Sequence, residues 1–313
     1  MTMRKQIVIL DNETLGKDLD LSVLKKLGDV TLYKNTMPDE TLKYIQNAHI
    51  VISNKVVLTK EIMQKSPKLE LICIAATGMN NVDLTAAQNL GIVVKNVTGY
   101  STQSVVQHTF AMLFYLLEHL KYYDSIVQTG LWGMSGLFTN VSHPFYEISG
   151  KKWGIIGLGT IGKEVAKIAT AFGATVSYHS TSGQNLESTY LHQPLDVLLT
   201  TSDIISIHAP LNDKTFALIN ETNLPLLKEK AILLNLGRGG IINETDLAYE
   251  LNRREIYAGL DVLEKEPIDL INRLNQIKHK ERLLITPHIA WTSIEARRKL
   301  LAGIIENIKK FLK

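Results

Sequence analysis

Short apolar runs alternate with stretches of helical periodicity along almost the whole chain. Runs of Ile, Val and Leu without polar alternation are typical of parallel strands that are buried on both faces. Their alternation with helices predicts a parallel sheet covered on both sides. In the first part of the chain, the predicted strands are residues 6–10, 29–33, 48–52, 69–75 and 92–94.

A long helical pattern over residues 101–129, followed by an irregular loop over 130–150, separates this alternation from a second one. The helical pattern is apolar on nearly every side in its middle, which is typical of a helix buried between layers or at an interface. The second alternation predicts a six-stranded doubly wound sheet. Its predicted strands are residues 153–156, 174–179, 204–208, 231–235, 256–260 and 283–285.

The predicted fold is therefore α/β, with two Rossmann-like, doubly wound parallel-sheet domains and a cleft between them. At 313 residues the chain is long for a single core. A last helical pattern, residues 293–312, comes too late for the second sheet and is expected to return to the first domain. We predict a substrate-binding domain of residues 1–100 with 291–313, and a dinucleotide-binding domain of 101–290. The cleft between them is the natural ligand site.

The net charge bears on the possible partners of the protein, and the cysteine content bears on its compartment. The net charge of +3 gives no general reason to expect nucleic acid or membrane binding. The single cysteine, Cys73, lies in an apolar run, which fits a reducing compartment and predicts a cytoplasmic protein. No signal peptide, membrane span or metal site is predicted. The apolar helix at 101–129 is a candidate two-fold interface, so a homodimer is expected.

A glycine-rich turn, Gly157-x-Gly159-x-x-Gly162, lies between a predicted strand and a helical pattern, as a dinucleotide-binding turn requires. Gly157 permits the tight turn, and Gly159 lets the backbone approach a pyrophosphate. Gly162 allows close packing of helix on strand. The N–H groups at the helix start then face the phosphates. The alternative is an ordinary glycine-rich turn.

Ser180 ends the second strand of this unit, where NAD-binding folds place an acidic residue on the ribose 2′-hydroxyl. The sequence has neither a carboxylate there nor an arginine that would hold a 2′-phosphate. The expected cofactor is therefore NAD, with NADP possible.

Charged side chains follow three later strands of the second unit. Arg238 lies in a glycine-rich turn, and a small carboxylate is the planar partner that suits its guanidinium. Asp261 and Glu266 follow the next strand, and His288 follows the last. Because ligands bind outside the carboxyl ends of parallel strands, these groups can converge on a substrate. Taken singly, Arg238 could be a surface residue and His288 a packed structural one.

Two other histidines have different predictions. His208 ends a strand in the run His-Ala-Pro-Leu, and its position there favours a structural or cofactor-lining role over a catalytic one. His108 lies on the long apolar helix and is interpreted as a hydrogen-bonded core residue.

Several segments together resemble the D-isomer-specific 2-hydroxyacid dehydrogenases over essentially the whole chain. Runs at 99–104, 108–117 and 178–183 are most similar to the glycerate dehydrogenases (hydroxypyruvate reductases) of that family. The segments that carry the family resemblance are residues 76–83, 157–162, 208–211, 235–239, 259–267 and 286–290.

The resemblance implies reduction of a small 2-oxo acid, such as hydroxypyruvate or glyoxylate, by NAD(P)H to a D-2-hydroxy acid. It implies that His288 is the acid/base, Glu266 its partner and Arg238 the anchor of the substrate carboxylate. The backbone N–H groups of Thr77 and Gly78 would assist Arg238. Besides the three glycines, the cofactor-binding residues that it implies are Thr160, Ile161, Ser180, Ala209, Pro210, Thr215, Leu236, Gly237 and Asp261.

Three alternatives stay open at this point. A D-lactate dehydrogenase would share every catalytic position. A non-catalytic NAD(H)-sensing regulator on the same fold would leave the Arg238, Glu266 and His288 set without a purpose. An S-adenosylmethionine-dependent methyltransferase also uses a glycine-rich strand–helix turn, but it gives no reason for that set.

Overall fold

The computed structural model describes residues 4–184 and 189–313, and the chain divides into two compact units. Unit 1 consists of Met1–Ser101 and Thr292–Lys313, and unit 2 of Thr102–Trp291. Each unit is built on one parallel β-sheet, five-stranded in unit 1 and seven-stranded in unit 2.

The sheet of unit 1 has the strand order β2-β1-β3-β4-β5, with every neighbouring pair parallel. Strands β3 and β4 are buried along their whole length, which is why they read as apolar runs in the sequence. The C-terminal helix α10 packs against β4. The elements are β1 (Gln6–Ile9), β2 (Asp29–Leu32), α1 (Thr41–Ile45), β3 (Ile50–Ser53), α2 (Lys60–Gln64), β4 (Leu71–Ile74), α3 (Leu84–Asn89), β5 (Val93–Lys95) and α10 (Ile294–Leu312).

The sheet of unit 2 has the order β12-β11-β10-β9-β6-β7-β8, again parallel throughout. The prediction of six strands is one short, because β8 has only two residues, both exposed, and leaves no apolar run in the sequence. The elements are α4 (Thr102–Leu117), α5 (Leu120–Gln128), α6 (Leu131–Met134), β6 (Lys152–Ile156), α7 (Thr160–Ala171), β7 (Thr175–His179), β8 (Leu191–His192), α8 (Leu195–Thr201), β9 (Ile204–Ile207), β10 (Ile232–Asn235), α9 (Glu244–Arg253), β11 (Tyr257–Leu260) and β12 (Leu283–Ile285).

The prediction of one helix over 101–129 is wrong. The helix breaks between α4 and α5 at His119, whose φ of 52° lies in the left-handed region. A residue in that conformation cannot continue a right-handed helix, so α4 and α5 are two separate helices. The apolar pattern continues across the break and therefore hides it. None of the helices in the described ranges combines the length and apolar character that crossing a membrane needs.

Candidate active site

The glycine-rich turn between β6 and α7 is held by close backbone contacts. Gly157 has φ of 92°, and a Cβ added there would lie 2.8 Å from the backbone N of Ala209. A Cβ on Gly162 would lie 2.4 Å from the carbonyl oxygen of Gly157. Around Gly159, by contrast, an added Cβ would meet nothing within 4 Å. The first and third glycines are therefore required by packing, and the second leaves its backbone open to a ligand.

A cavity of about 480 Å³ lies beside this turn, at the carboxyl ends of β6, β7 and β9. In an open parallel sheet, this is the edge at which ligands bind. Among the described residues, its lining consists of Gly157, Leu158, Gly159, Ser180, Thr181, Ser182, Gln184, His208, Pro210, Asn212, Asp213 and Lys214.

Buried polar atoms in this lining fit a dinucleotide. The hydroxyl of Ser180 and both ring nitrogens of His208 are buried and find no hydrogen-bond partner within the described residues. Burial lowers the pKa of His208 to about 3, so its ring is neutral and offers one donor and one acceptor. Buried polar groups normally have partners, and a polar ligand such as a dinucleotide can supply them.

The cavity includes Gly157, Gly159, Ser180 and Pro210 from the predicted cofactor set, and His208, for which a lining role was one prediction. The polar lining residues Thr181, Ser182 and Gln184 and residues 212–214 were not predicted to bind the cofactor. Thr181 and Ser182 lie in the run 178–183 that carries part of the family resemblance, whereas residues 212–214 match no motif. The remaining predicted cofactor residues do not line the cavity; they are Thr160, Ile161, Gly162, Ala209, Thr215, Leu236, Gly237 and Asp261.

The structure gives two of these residues a role inside the protein. Ala209 packs against the backbone of Gly157. Thr215 is fully buried, and its hydroxyl donates to the carbonyl oxygen of Pro210 at 2.7 Å. Thr215 therefore shapes the turn that carries the cavity residues 212–214, and direct contact of Thr215 with a cofactor stays a prediction.

His288 and Glu266 form a hydrogen-bonded pair. His288 Nδ1 lies 2.7 Å from Glu266 Oε2, and Glu266 Oε1 accepts from the backbone N–H of Leu263 at 3.0 Å. The second bond fixes the carboxylate that orients the imidazole. The His288 side chain remains 22% exposed, and no described residue contacts its Nε2 in a hydrogen bond. The pair therefore presents one ring nitrogen for proton transfer to a bound molecule.

Arg238 lies in a tight turn after β10. The side chain of Asn235 organises this turn: its Nδ2 donates to the carbonyl oxygen of Arg238 at 2.9 Å, and its Oδ1 accepts from the N–H of Gly237 at 3.1 Å. The guanidinium is half-buried and donates through Nη1 to the carbonyl oxygen of Gly237 at 2.8 Å. Within the described residues no carboxylate pairs with it, so its remaining donors can hold a ligand's carboxylate.

Asp261 is buried at the end of β11. Its carboxylate accepts hydrogen bonds from the Thr286 hydroxyl at 2.6 Å and from the backbone N–H groups of Ile289 and Ala290 at 2.8 and 3.0 Å. Burial works to raise the pKa of Asp261. Hydrogen bonds from His108, Thr286 and these N–H groups outweigh it, so the pKa lies below its usual value. The ionised carboxylate therefore holds the segment that carries the catalytic candidate His288.

The sheet order places Arg238, Asp261 and His288 after the carboxyl ends of three adjacent strands, β10, β11 and β12. Hydrogen bonds join His288 to Glu266, and Asp261 to the backbone around His288, but none joins Arg238 to His288. Thr77 and Gly78 follow β4 in unit 1, so their predicted part in substrate binding stays a prediction. Among the described residues, no group of three or more His, Cys, Asp or Glu side chains could hold a metal ion.

Residues 110–290 match the protein family described as "D-isomer specific 2-hydroxyacid dehydrogenase, NAD binding domain". The match covers more than half of the chain. The protein belongs to this family. The resemblance seen in the sequence is thereby confirmed, and the chain is an NAD(P)-dependent D-2-hydroxyacid dehydrogenase, an oxidoreductase.

Two relatives and one solved structure are similar to this D-2-hydroxyacid dehydrogenase over nearly its full length. It is 36% identical to a hydroxypyruvate reductase of Blautia hydrogenotrophica, over 98% of this chain and 97% of the relative. It is 34% identical to a glycerate dehydrogenase of Methylorubrum extorquens, over 99% of this chain and 97% of the relative. A solved structure, that of an Aquifex aeolicus D-lactate dehydrogenase with NAD and lactic acid, matches with a TM-score of 0.84 and 25% sequence identity. The match covers 98% of this chain and 95% of that one. The fold-class prediction of two parallel-sheet α/β units is confirmed.

Proposed function

We propose that this dehydrogenase reduces hydroxypyruvate or glyoxylate, with His288 as the proton donor, Glu266 as its partner and Arg238 as the anchor of the substrate carboxylate. The observation that carries the proposal is the 2.7 Å contact between His288 Nδ1 and Glu266 Oε2 at the end of β12. A non-catalytic sensor of NAD(H) would have no need for a partly exposed imidazole that a carboxylate orients, or for a guanidinium that no carboxylate of the described residues pairs with.

The chemistry follows from these side chains. A bound nicotinamide dinucleotide supplies the hydride. Arg238 binds the carboxylate of the 2-oxo acid through its planar donors, which fixes the orientation of C2. His288, protonated, donates from Nε2 to the carbonyl oxygen as negative charge develops there, and general acid catalysis of this kind contributes about 10²- to 10⁴-fold. Glu266 stabilises the charged imidazole by its opposite charge and holds the ring in place.

The substrate class rests on the relatives. Those named hydroxypyruvate reductase and glycerate dehydrogenase match this chain over nearly its full length. The similar fold of a D-lactate dehydrogenase makes pyruvate the second candidate. These acids share the carboxylate and carbonyl that Arg238 and His288 would bind, and they differ only in the group on C2.

A substrate panel tests the proposal. The purified protein is mixed with NADH or NADPH and with hydroxypyruvate, glyoxylate or pyruvate, and oxidation is followed in the nicotinamide absorbance band. We expect the highest kcat/KM with hydroxypyruvate or glyoxylate, and a D-configured product from hydroxypyruvate, whose reduction creates a stereocentre at C2. Highest activity with pyruvate would assign a D-lactate dehydrogenase instead. Cofactor binding without oxidation of either cofactor would reject catalysis.

Ser180 is proposed to leave the cofactor site open to both dinucleotides, because it lines the cavity without adding a negative charge. We expect Ser180→Asp to shift the kcat/KM ratio toward NADH by about 10-fold or more. A carboxylate about 4 Å from a 2′-phosphate adds roughly 1–4 kcal/mol of repulsion. Steady-state kinetics with both cofactors measure the shift. Thr200→Asp adds the same charge on exposed helix α8 and should leave the ratio unchanged. An equal ratio in both variants would remove Ser180 from the cofactor site.

The protein is further proposed to be a homodimer that pairs through the arm, defined here as residues 120–145. The arm exposes a dense set of large apolar side chains, with Phe138 91% and Val141 78% exposed. Large apolar side chains exposed in such number within one segment favour an interaction site, and two-fold dimers are the commonest closed assembly. The other exposed apolar residues of the arm are Leu120, Val127, Leu131, Trp132, Met134, Leu137 and Phe145.

Sedimentation equilibrium at micromolar concentration is expected to give twice the chain mass of 35.0 kDa. We expect Phe138→Glu to shift the mass toward the monomer, because dimer formation would bury an unpaired charge. Leu270→Glu is the matched control, since Leu270 is 93% exposed in the same unit but lies outside the arm. A wild-type monomer, or equal behaviour of the two variants, would overturn the proposed interface.

A cytoplasmic location is proposed on the strength of the single cysteine. Cys73 is fully buried in β4, and burial raises its pKa to about 12, so its thiol is protonated and unreactive. The protein thus relies on no disulfide for stability, as is usual in reducing compartments.

A further inference from the structure

A chain of hydrogen bonds runs from helix α4 to the backbone on either side of His288. It begins at His108, whose Nε2 lies 3.1 Å from Thr286 Oγ1 and 3.5 Å from Asp261 Oδ1. His108 was predicted to be a core residue, and its side chain is only 19% exposed. Its contacts are nevertheless with polar atoms that surround the catalytic candidate, not with the apolar core alone.

The positions of the protons in this series of hydrogen bonds follow from the number of hydrogens that each side chain can donate. The Thr286 hydroxyl has one hydrogen, and its 2.6 Å contact with the ionised Asp261 Oδ1 claims it, because that carboxylate can only accept. Toward His108, Thr286 Oγ1 is therefore an acceptor. His108 must carry its hydrogen on Nε2 and donate, with the Asp261 carboxylate behind the hydroxyl reinforcing the bond.

At the other end of this series of hydrogen bonds, the Asp261 carboxylate binds backbone N–H groups. Asp261 accepts from the N–H groups of Ile289 and Ala290, just after His288, while Thr286 lies just before it. Helix α4 holds the same segment a second time, since Ser104 Oγ donates to the carbonyl oxygen of Ala290 at 2.6 Å. Residues 286–290 are therefore fixed on both sides of the catalytic candidate.

His288 itself has φ of 54°, in the left-handed region that residues with a Cβ seldom adopt. Such a conformation persists only when its surroundings impose it. The bonds from Asp261 and Thr286 supply that constraint, and His108 anchors both to α4.

We propose that His108 is a positioning residue, which acts through Thr286 and Asp261 to hold His288 in the orientation needed for proton transfer. The inference rests on the proposed role of His288 as proton donor. His108 touches neither reacting atoms nor the His288 ring; it limits the movement of the segment that carries that ring.

His108→Leu tests the proposal, because leucine fills similar space and removes the donor. We expect kcat to fall about 10- to 100-fold, since small misplacements of a catalytic group have effects of this size. KM should change less than threefold. His108→Gln, which retains an N–H donor of similar reach, should recover most of the lost kcat. Amide hydrogen exchange at Ile289 and Ala290, measured without cofactor, should accelerate in His108→Leu and return toward wild type in His108→Gln.

Three further variants complete the test. Gln107→Leu changes the exposed neighbour on α4 and should leave kcat and exchange unaltered. Leu113→Ala creates a cavity in the core of α4; it should lower the melting temperature without a matching loss of kcat. Thr286→Val removes the hydroxyl that links His108 to Asp261, so it should give the same loss of kcat as His108→Leu. It keeps the proposal testable if His108→Leu folds poorly.

The outcomes separate the two proposals. A wild-type protein that turns over no 2-oxo acid would overturn the proposed function. An active wild-type enzyme with unchanged kcat in both His108→Leu and Thr286→Val would overturn the positioning role alone. So would a kcat loss in Leu113→Ala equal to that in His108→Leu, because the effect would then be one of stability.

Discussion

His288→Ala is expected to lower kcat by about 10²- to 10⁴-fold while the dissociation constant for NADH stays within about twofold of wild type. The substitution removes the only proton donor proposed for the carbonyl oxygen. It also removes the 2.7 Å bond to Glu266, whose other oxygen keeps its bond to the N–H of Leu263. The cofactor cavity lies at β6, β7 and β9, away from the end of β12, so binding should survive. Single-turnover kinetics and NADH fluorescence titration measure the two effects.

A second histidine–carboxylate pair offers a matched control. His279 Nδ1 lies 3.3 Å from Glu281 Oε1, and both side chains are more exposed than those of the catalytic candidates. His279→Ala should leave kcat and NADH binding unchanged. If His288→Ala reduced binding and turnover in equal proportion, His288 would be a structural residue, and the proposed acid would have to be sought elsewhere.

Arg238→Gln is expected to raise KM for hydroxypyruvate about 100-fold, because a hydrogen bond to a charged group contributes roughly 1.5–3 kcal/mol. Arg238→Lys should recover only part of this loss. A lysine ammonium offers one point of charge, whereas the guanidinium can hold both carboxylate oxygens at once. The loss should be much smaller with an uncharged substrate such as the methyl ester of pyruvate. Steady-state kinetics with the acid and the ester measure the difference.

Arg273→Gln is the control for the loss of one positive charge in the same unit. Arg273 is exposed and donates to Gln276 Oε1 at 3.1 Å, so its removal should leave KM unchanged. An equal change in KM for acid and ester in Arg238→Gln would show that Arg238 supports the turn and does not bind the carboxylate.

The positions of the strands were largely predictable, because strands buried on both faces must be apolar throughout. Predicted strands such as 283–285 coincide with the observed elements, and others differ by a residue or two at their ends. The pairing of His288 with Glu266 was predicted only through the family resemblance, since the two residues lie on different loops. Their contact confirms that they are neighbours; their catalytic roles stay a proposal.

Other features left no trace in the sequence. The break at His119 interrupts no apolar pattern, and β8 is too short to form one. The cavity segment 212–214 contains ordinary turn residues, which the buried Thr215 hydroxyl and the backbone hydrogen bonds of the turn hold in position. Each of these features depends on a backbone angle or a hydrogen bond rather than on the periodicity of side chains.

The sequence by itself determined the order of most strands and helices, the glycine-rich turn, and the placing of Arg238, Asp261 and His288 after successive strands. It could do so because hydrophobic periodicity and glycine requirements are local properties of the chain. Only the tertiary structure decided that Asp261 holds the backbone around His288, and that His108 on a distant helix completes this support. Hydrogen bonds between residues far apart in the chain form only after packing has brought them together, so no local pattern records them.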